Sequence, residues 1–356
     1  MNTNSLTSTE KTIYALRSLY ESYGYSQYKM SKFEEYDLYV RNKSFLLSDN
    51  IIAFTDTTGK LMALKPDVTL SIVKHSGERE SGVRRVYYNE NVYRVPRGGF
   101  AFKEIMQSGL ECIGEIDDYN VCEVLMLAAK SLAEISDDFV LDISHLGVVS
   151  AIIDSMELSE ETKGRLITAI GEKNAQGIDA ACACIDADEG EIGILKSLVS
   201  MKGGCDEMLR ILEGSKAYSL AEGFAAIIKV LWASFGDKVR IDFSVVDDMR
   251  YYTGIVFKGF VRGIPTSVLS GVRYDKLMER MGKRSGAIGF AVYLDLLDML
   301  EIAEDEYDAD VFLQYGDDAS LEDIVMAADE MIESGKKVVS GRVKPEKLRV
   351  REILEI

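Results

Sequence analysis

The sequence predicts an α+β fold with a mostly antiparallel sheet flanked by helices. Short β-prone segments, broken by Asn, Asp and Gly, occupy residues 25–64 and 83–114 and return at 239–292. Between them, residues 148–235 are rich in Ala, Leu, Ile and Glu at helical spacing. Because the strands are grouped on either side of one helical block, the pattern favours α+β over a doubly wound fold.

The individual elements follow from local signals. A Ser/Thr-rich start followed by apolar residues at helical spacing predicts a helix over 9–23, and Pro66 separates short strands from a helix over 67–75. Residues 84–88 and 92–95 read as two strands joined by the turn residues Asn89, Glu90 and Asn91. The other predicted strands are at 104–113, 139–143, 240–244, 251–261, 266–269, 287–292, 309–313 and 337–340. The other predicted helices are at 118–133, 274–281 and 321–334, with one more after the strand at 287–292 that ends at residue 302.

Length and these elements together predict the domain organisation. The chain has 356 residues, enough for roughly two domains with their own cores. We expect a core formed by residues 1–147 and 236–303, with 148–235 as a helical insertion. Residues 304–356 then form a short C-terminal α/β segment, which is small for an independent domain.

Composition narrows the class of partner. Lys and Arg total 41 and Asp and Glu total 59, which gives a net charge of −18 and disfavours nucleic acid as a partner. The N-terminus lacks the pattern of a signal peptide, and no apolar run approaches the roughly 18 residues that span a bilayer. We therefore expect a cytoplasmic protein without a membrane partner.

The cysteine count argues against a metal centre. There are five cysteines and two histidines, and the pair Cys182 and Cys184 has no second pair at ligand spacing. We expect reduced thiols, no metal and no cofactor.

One strand suggests a small polar pocket. If residues 104–113 form a strand, Gln107, Gly109 and Glu111 share a face, because side chains alternate along a strand. Gly109 would leave a vacancy between the amide and the carboxylate. The alternative is a glycine at a strand bulge.

Four ordered segments are distinctive in their residues: Leu64-Lys65-Pro66-Asp67-Val68-Thr69, Arg94 followed by Gln107-Ser108-Gly109-Leu110-Glu111, Tyr251-Tyr252-Thr253-Gly254, and Gly271-Val272-Arg273-Tyr274-Asp275 with Gly286–Ala291. In order and spacing they resemble the catalytic core of class II histidyl-tRNA synthetases. The resemblance covers roughly residues 10–300 and implies a class II aminoacyl-tRNA synthetase-like core.

The departures from that family bear on its chemistry. Asp247 and Leu296 stand where the synthetases carry arginines that assist histidine activation and bind ATP phosphates. Losing one such preorganised donor costs roughly 10²–10³ in rate. Ser31 stands where the family carries a proline of the dimer motif, and by the resemblance we expect residues 304–356 to correspond to only part of an anticodon-binding domain. The resemblance thus implies that catalytic residues for aminoacylation are absent.

The amino-acid pocket is retained by resemblance. Two carboxylates and a hydroxyl would surround the ammonium of histidine, with an amide nearby. Two tyrosines would enclose its imidazole, and an arginine would pair with its carboxylate. The residues implied are Asp67, Thr69, Arg94, Gln107, Glu111, Tyr252 and Tyr274. The alternative is that they remain only as core residues of an inactive enzyme.

A synthetase core without ATP chemistry is similar to the ATP phosphoribosyltransferase regulatory subunit family. That resemblance implies a non-catalytic partner of a short-form ATP phosphoribosyltransferase catalytic subunit in a hetero-octamer, a homodimer of the core, and feedback control of histidine biosynthesis with histidine as effector. Two alternatives remain: a divergent histidyl-tRNA synthetase or histidine-activating paralogue, and a scaffold that needs no ligand.

Overall fold

The central feature of the fold is a sheet that joins eight strands of the described residues in the order β1-β5-β6-β11-β10-β9-β7-β8. Neighbouring strands are antiparallel except at its two ends, where β1 pairs with β5 and β7 with β8 in parallel. Its strands are β1 (Ser26–Gln27), β5 (Val83–Arg94), β6 (Lys103–Gly114), β7 (Phe139–His145), β8 (Val239–Ile241), β9 (Ile255–Val261), β10 (Leu269–Arg273) and β11 (Gly286–Tyr293). The predicted α+β class with a mostly antiparallel sheet is confirmed.

The computed structural model describes residues 7–46, 50–77, 82–95, 101–183, 189–246, 254–300 and 307–356. They belong to two compact units, Met1–Leu300 and Glu301–Ile356. The first also holds a small antiparallel sheet of β2 (Phe33–Glu35), β3 (Ala53–Thr55) and β4 (Leu61–Leu64). The second holds β12 (Ala309–Gln314), β13 (Val338–Gly341) and β14 (Val350–Glu355), all parallel.

Helices of the first unit pack against the main sheet and form the block between β7 and β8, whereas α12 belongs to the second unit. The described helices are α1 (Ser8–Ser22), α2 (Tyr36–Arg41), α3 (Thr69–His75), α4 (Asp118–Ala133), α5 (Leu146–Ser155), α6 (Glu160–Gly171), α7 (Ala175–Cys182), α8 (Glu189–Ser200), α9 (Cys205–Ile211), α10 (Tyr218–Phe235), α11 (Asp275–Arg280) and α12 (Leu321–Glu333). Helix α4 begins at the predicted residue because Asp117 and Asn120 form a reciprocal capping box. Helices α5 to α10 fill Leu146–Phe235, and their apolar faces join the main core with α1 and α4.

The two predicted strands around Asn89 are one strand. Strand β5 pairs with β6 without a break, from Val83 opposite Gly114 to Arg94 opposite Lys103. Asn and Glu have poor strand propensity, but a full ladder of cross-strand bonds overrides it. The prediction of a turn at 89–91 was therefore wrong.

Other element boundaries also differ from expectation. The strand predicted at 266–269 begins at Leu269 and continues to Arg273, and the helix predicted up to 302 is 3₁₀ over Leu294–Met299. The strand β14 was missed. The predicted strand start at Tyr251 and the Asp247 position lie outside the described residues.

Helix α10 corrects one expectation about composition. Tyr218–Lys238 is long and apolar enough to cross a membrane by length and composition alone, although no such run was expected. Six of its side chains are nevertheless buried in the main core: Ala221, Phe224, Ala225, Ile227, Ile228 and Leu231. A core helix of a globular fold passes the same test, so this helix is weak evidence for a membrane.

A buried ion pair supports the small sheet against β5. The Lys65 side chain is completely buried and its ammonium donates to Glu90, which is 17% exposed. The Lys65 carbonyl accepts a hydrogen bond from the backbone amide of Tyr93, which lies on β5 as Glu90 does. Lys65 directly follows β4, so the pair holds the end of β4 against β5. Removing either partner would leave the other charge buried and unpaired.

We expect Lys65→Met to lower the free energy of unfolding by about 3 kcal/mol, because Glu90 would lose its cation while remaining mostly buried. The measurement is urea denaturation. Lys196→Met is the matched control, since its partner Asp179 is 53% exposed and such pairs contribute about 0–1 kcal/mol. Equal losses in the two variants would contradict this role for Lys65.

Candidate functional site

A cavity of about 120 Å³ opens on one face of the main sheet, beside α3 and α11. Six of the seven predicted site residues line it: Asp67, Thr69, Arg94, Gln107, Glu111 and Tyr274. The seventh, Tyr252, lies outside the described residues. Strands β5 and β6, the start of α3 and the segment after β10 thus bring the predicted residues together at one place.

Glu111 is the centre of the cavity. Its side chain is buried, and each oxygen accepts a hydrogen bond: the Thr69 hydroxyl donates to Oε1 over 2.8 Å, and the Tyr274 hydroxyl donates to Oε2 over 2.6 Å. Burial raises the pKa of Glu111 to about 8, against the opposing effect of these two hydrogen bonds. Among the described residues, both groups that donate hydrogen bonds to this carboxyl group are neutral, so its charged form would gain from a cationic ligand.

Glycines make room for this carboxyl group. A Cβ at Gly289, which faces Glu111 across the β6–β11 ladder, would lie 1.8 Å from Glu111 Oε2. A Cβ at Gly109 would lie 2.6 Å from the Tyr88 hydroxyl and 2.3 Å from the Phe290 carbonyl oxygen. The vacancy predicted above Gly109 is therefore occupied by the ring of Tyr88.

Asp67 supplies the second carboxylate, at the entry to α3. Its Oδ1 accepts the backbone N–H of Leu70 over 2.9 Å, which fixes the side chain against the first turn of the helix. Burial raises the pKa of Asp67, while the Leu70 amide and the charge of Arg94 oppose that rise.

Arg94, at the end of β5, places a positive charge at the same cavity. It is 7% exposed, and its guanidinium carbon lies 5.8 Å from the centre of the Tyr293 ring. Two carboxyl groups and one guanidinium around an enclosed space match the charges of an α-amino acid, whose ammonium and carboxylate need opposite partners.

The side chains of Tyr88 and Tyr293 were not predicted for the site. Tyr88 is 2% exposed and stands opposite Gly109, and Tyr293 stands opposite Gln107. The signal for Tyr88 was available: had 83–94 been read as one strand, Tyr88 would have shared a face with Arg94, a predicted site residue.

The expectations about cysteines and metals can be compared with the described residues. Cys112, Cys122, Cys182 and Cys205 are free thiols. Within the described ranges, no three His, Cys, Asp or Glu side chains are placed to hold a metal ion.

Comparison with known proteins agrees with this architecture. The sequence profile of the histidyl-tRNA synthetase family matches residues 3–297. The ATP phosphoribosyltransferase regulatory subunit of Caldanaerobacter subterraneus is 30% identical over 289 residues, which are 78% of this chain and 75% of that protein. The histidine–tRNA ligase of Methanocaldococcus jannaschii is 26% identical over 94% of this chain and 82% of its own length.

Solved structures share the fold. An ATP phosphoribosyltransferase regulatory subunit/histidyl-tRNA synthetase from Bacillus halodurans superposes with a TM-score of 0.80 at 23% identity, covering 98% of this chain and 93% of that one. A chain of an ATP phosphoribosyl transferase complex from Thermotoga maritima superposes with a TM-score of 0.64 at 19% identity, covering 81% and 98%. The predicted class II synthetase-like core is confirmed.

The raised pKa of Glu111 makes stability depend on pH. Between about 4.5, its ordinary pKa, and about 8, the folded protein holds a proton that the unfolded chain releases, so this group's contribution to stability falls as pH rises. Glu111→Gln carries no such proton. We expect its free energy of unfolding, relative to the wild type, to increase by about 1–3 kcal/mol from pH 5 to pH 8. Urea denaturation at both pH values measures this difference, and a difference independent of pH would contradict the assignment.

Proposed function

The chain belongs to the histidyl-tRNA synthetase family, among its ATP phosphoribosyltransferase regulatory subunits, and we propose that it regulates a short-form ATP phosphoribosyltransferase by binding histidine in the cavity around Glu111. The observation that carries the proposal is a buried carboxyl group whose two hydrogen-bond donors among the described residues are neutral, in a cavity that Asp67 and Arg94 also line.

Each pole of histidine has a partner in this cavity. Its ammonium enters between Glu111 and Asp67, where it favours the charged carboxylate form of both groups. Its carboxylate faces Arg94, whose planar guanidinium suits a carboxylate. Tyr274 and Gln107 line the remaining wall, and Tyr252 follows from the family resemblance alone.

We infer that the protein performs no aminoacylation. Leu296 lies where the synthetases carry a phosphate-binding arginine; it is half-buried and packs against the main core, so it offers no charge to ATP. Asp247, at the other substituted position, lies outside the described residues. Adenylate formation depends on preorganised cations, and neither position provides one.

The catalytic partner supplies the chemistry in this proposal. The regulatory subunit of Caldanaerobacter subterraneus and the complex from Thermotoga maritima support a phosphoribosyltransferase partner for this chain. We propose a homodimer of the synthetase-like core within a hetero-octamer, in which bound histidine lowers the partner's rate. A coupling free energy of about 1–3 kcal/mol between the two sites is typical for such regulation.

Histidine binding tests the cavity directly. We expect Glu111→Gln to weaken binding at least about tenfold, because the ammonium loses its charged partner. Isothermal titration calorimetry with L-histidine measures the affinity. Glu104→Gln is the matched control: Glu104 lies on the same strand but is exposed and bonds Tyr93 and Asn91 instead. Unchanged affinity in Glu111→Gln, or an equal loss in Glu104→Gln, would refute the pocket.

Histidine binding should also release protons. Near pH 7 the empty cavity holds Glu111 mostly protonated, and an ammonium ion favours the carboxylate form. We expect a net release of protons at pH 7, measured as the difference in binding heat between two buffers of unlike ionisation enthalpy. Uptake of protons, or no exchange, would contradict this mechanism.

The regulatory role needs an activity measurement. We expect this protein to raise the rate of phosphoribosyl transfer from PRPP to ATP by a short-form catalytic subunit, and histidine to inhibit only in its presence. Absence of both a complex and a rate effect, together with histidine-dependent pyrophosphate exchange, would establish the divergent-synthetase alternative instead.

A further inference from the structure

A second cleft, of about 330 Å³, lies between α10 and the strands β9 and β10, at the start of α4. Arg273 on β10 lines it, whereas the flanking residues Val272 and Tyr274 line the cavity around Glu111. The described residues that line the two spaces have no member in common. The cleft is therefore distinct from the proposed histidine pocket.

The charged groups of the cleft leave one negative charge without a partner. The Arg273 Nε donates to Asp275 Oδ2 over 2.8 Å, so these two charges compensate each other. Asp118, in the first turn of α4, also lines the cleft and forms neither a hydrogen bond nor an ion pair with the other described residues. The excess negative charge favours a cation and disfavours phosphates and simple carboxylates.

His145 adds a polar atom that lacks a partner. Its Nδ1 is buried and has no hydrogen bond to any described residue. Its ring packs edge-on against Phe224 at a centroid distance of 5.7 Å. Burial lowers the pKa of His145 to about 4, so the imidazole is neutral at pH 7 and adds no charge.

The other walls are apolar, and a glycine keeps one of them open. Phe224, Ile227 and Ile255 line the cleft together with Gly223, which lies inside helix α10. A helix-interior glycine is unfavourable relative to alanine. A Cβ at Gly223 would meet no atom within 4 Å, so packing does not require the glycine.

From these features we propose that the cleft binds a small organic ammonium ion whose apolar substituent is about the size of a phenylalanine side chain. The ammonium pairs with Asp118, which is exposed, and the substituent lies against Phe224 and Ile227. A free amine and an α-amino acid share this chemistry. They differ in the carboxylate, which only Arg273 among the lining residues can pair.

Three molecules with one phenyl group each test the proposal by calorimetry at millimolar concentration: phenethylamine, L-phenylalanine and 3-phenylpropionate. We expect at least one of the two ammonium compounds to bind and 3-phenylpropionate not to bind. Tighter binding of L-phenylalanine than of phenethylamine identifies an amino acid as the ligand class, and the reverse order identifies a simple amine. Binding of neither ammonium compound, or preferred binding of 3-phenylpropionate, would overturn the proposal.

Variants locate the binding. Asp118→Asn should weaken it about tenfold. Gly223→Leu should abolish it by filling the cleft, while Gly164→Leu is the matched control, because Gly164 is another helical glycine with nothing within 4 Å of its Cβ position. Glu111→Gln should bind the ammonium compound like the wild type. Loss of binding in Glu111→Gln would place the ligand in the other cavity and overturn the proposal, as would unchanged binding in Asp118→Asn. If Gly223→Leu does not fold, Asp118→Asn still tests the proposal, because Asp118 is exposed.

Discussion

A carboxyl group buried in the middle of a sheet is the constraint on which the site depends. Glu111 has no room unless residue 289 lacks a side chain, and no hydrogen-bond partners unless α3 and the segment after β10 deliver Thr69 and Tyr274. These groups come from four separate parts of the chain, so the sheet must close with one register. A slip of one residue would turn Glu111 into the apolar core on the other face.

The two faces of the main sheet pack against different groups of residues. On the side of Glu111, a smaller group of buried residues lies next to the charged groups of the cavity and includes Val86, Tyr88, Ile113 and Tyr274. On the other side, α1, α4 and the helices between Leu146 and Phe235 form a larger apolar core. The helical block therefore packs on the face of the sheet away from Glu111, and the face that carries Glu111 is left for a ligand.

Much of this arrangement could be predicted from sequence, and the failures have physical causes. Helix α4 was predicted at 118–133 and found there, and its start is fixed by a local interaction, the capping box of Asp117 and Asn120. The site residues Asp67, Arg94 and Glu111 were recognised through ordered family segments, which carry information about contacts across the chain. Strand β5 was misread because Asn89 and Asn91 favour turns locally, whereas the twelve-residue ladder that overrides them is a long-range interaction. Tyr88 was missed for the same reason.

The continuity of β5 also has a mechanical consequence. One unbroken strand, roughly 40 Å long if fully extended, carries Tyr88 and Arg94 at the cavity and pairs with β1 through Val86 and Tyr87. Because no turn or bulge interrupts it, a displacement at the cavity is not absorbed by a flexible joint before it reaches the edge of the sheet. An occupant of the cavity that contacts Tyr88 therefore contacts the residue next to Tyr87, which pairs with β1.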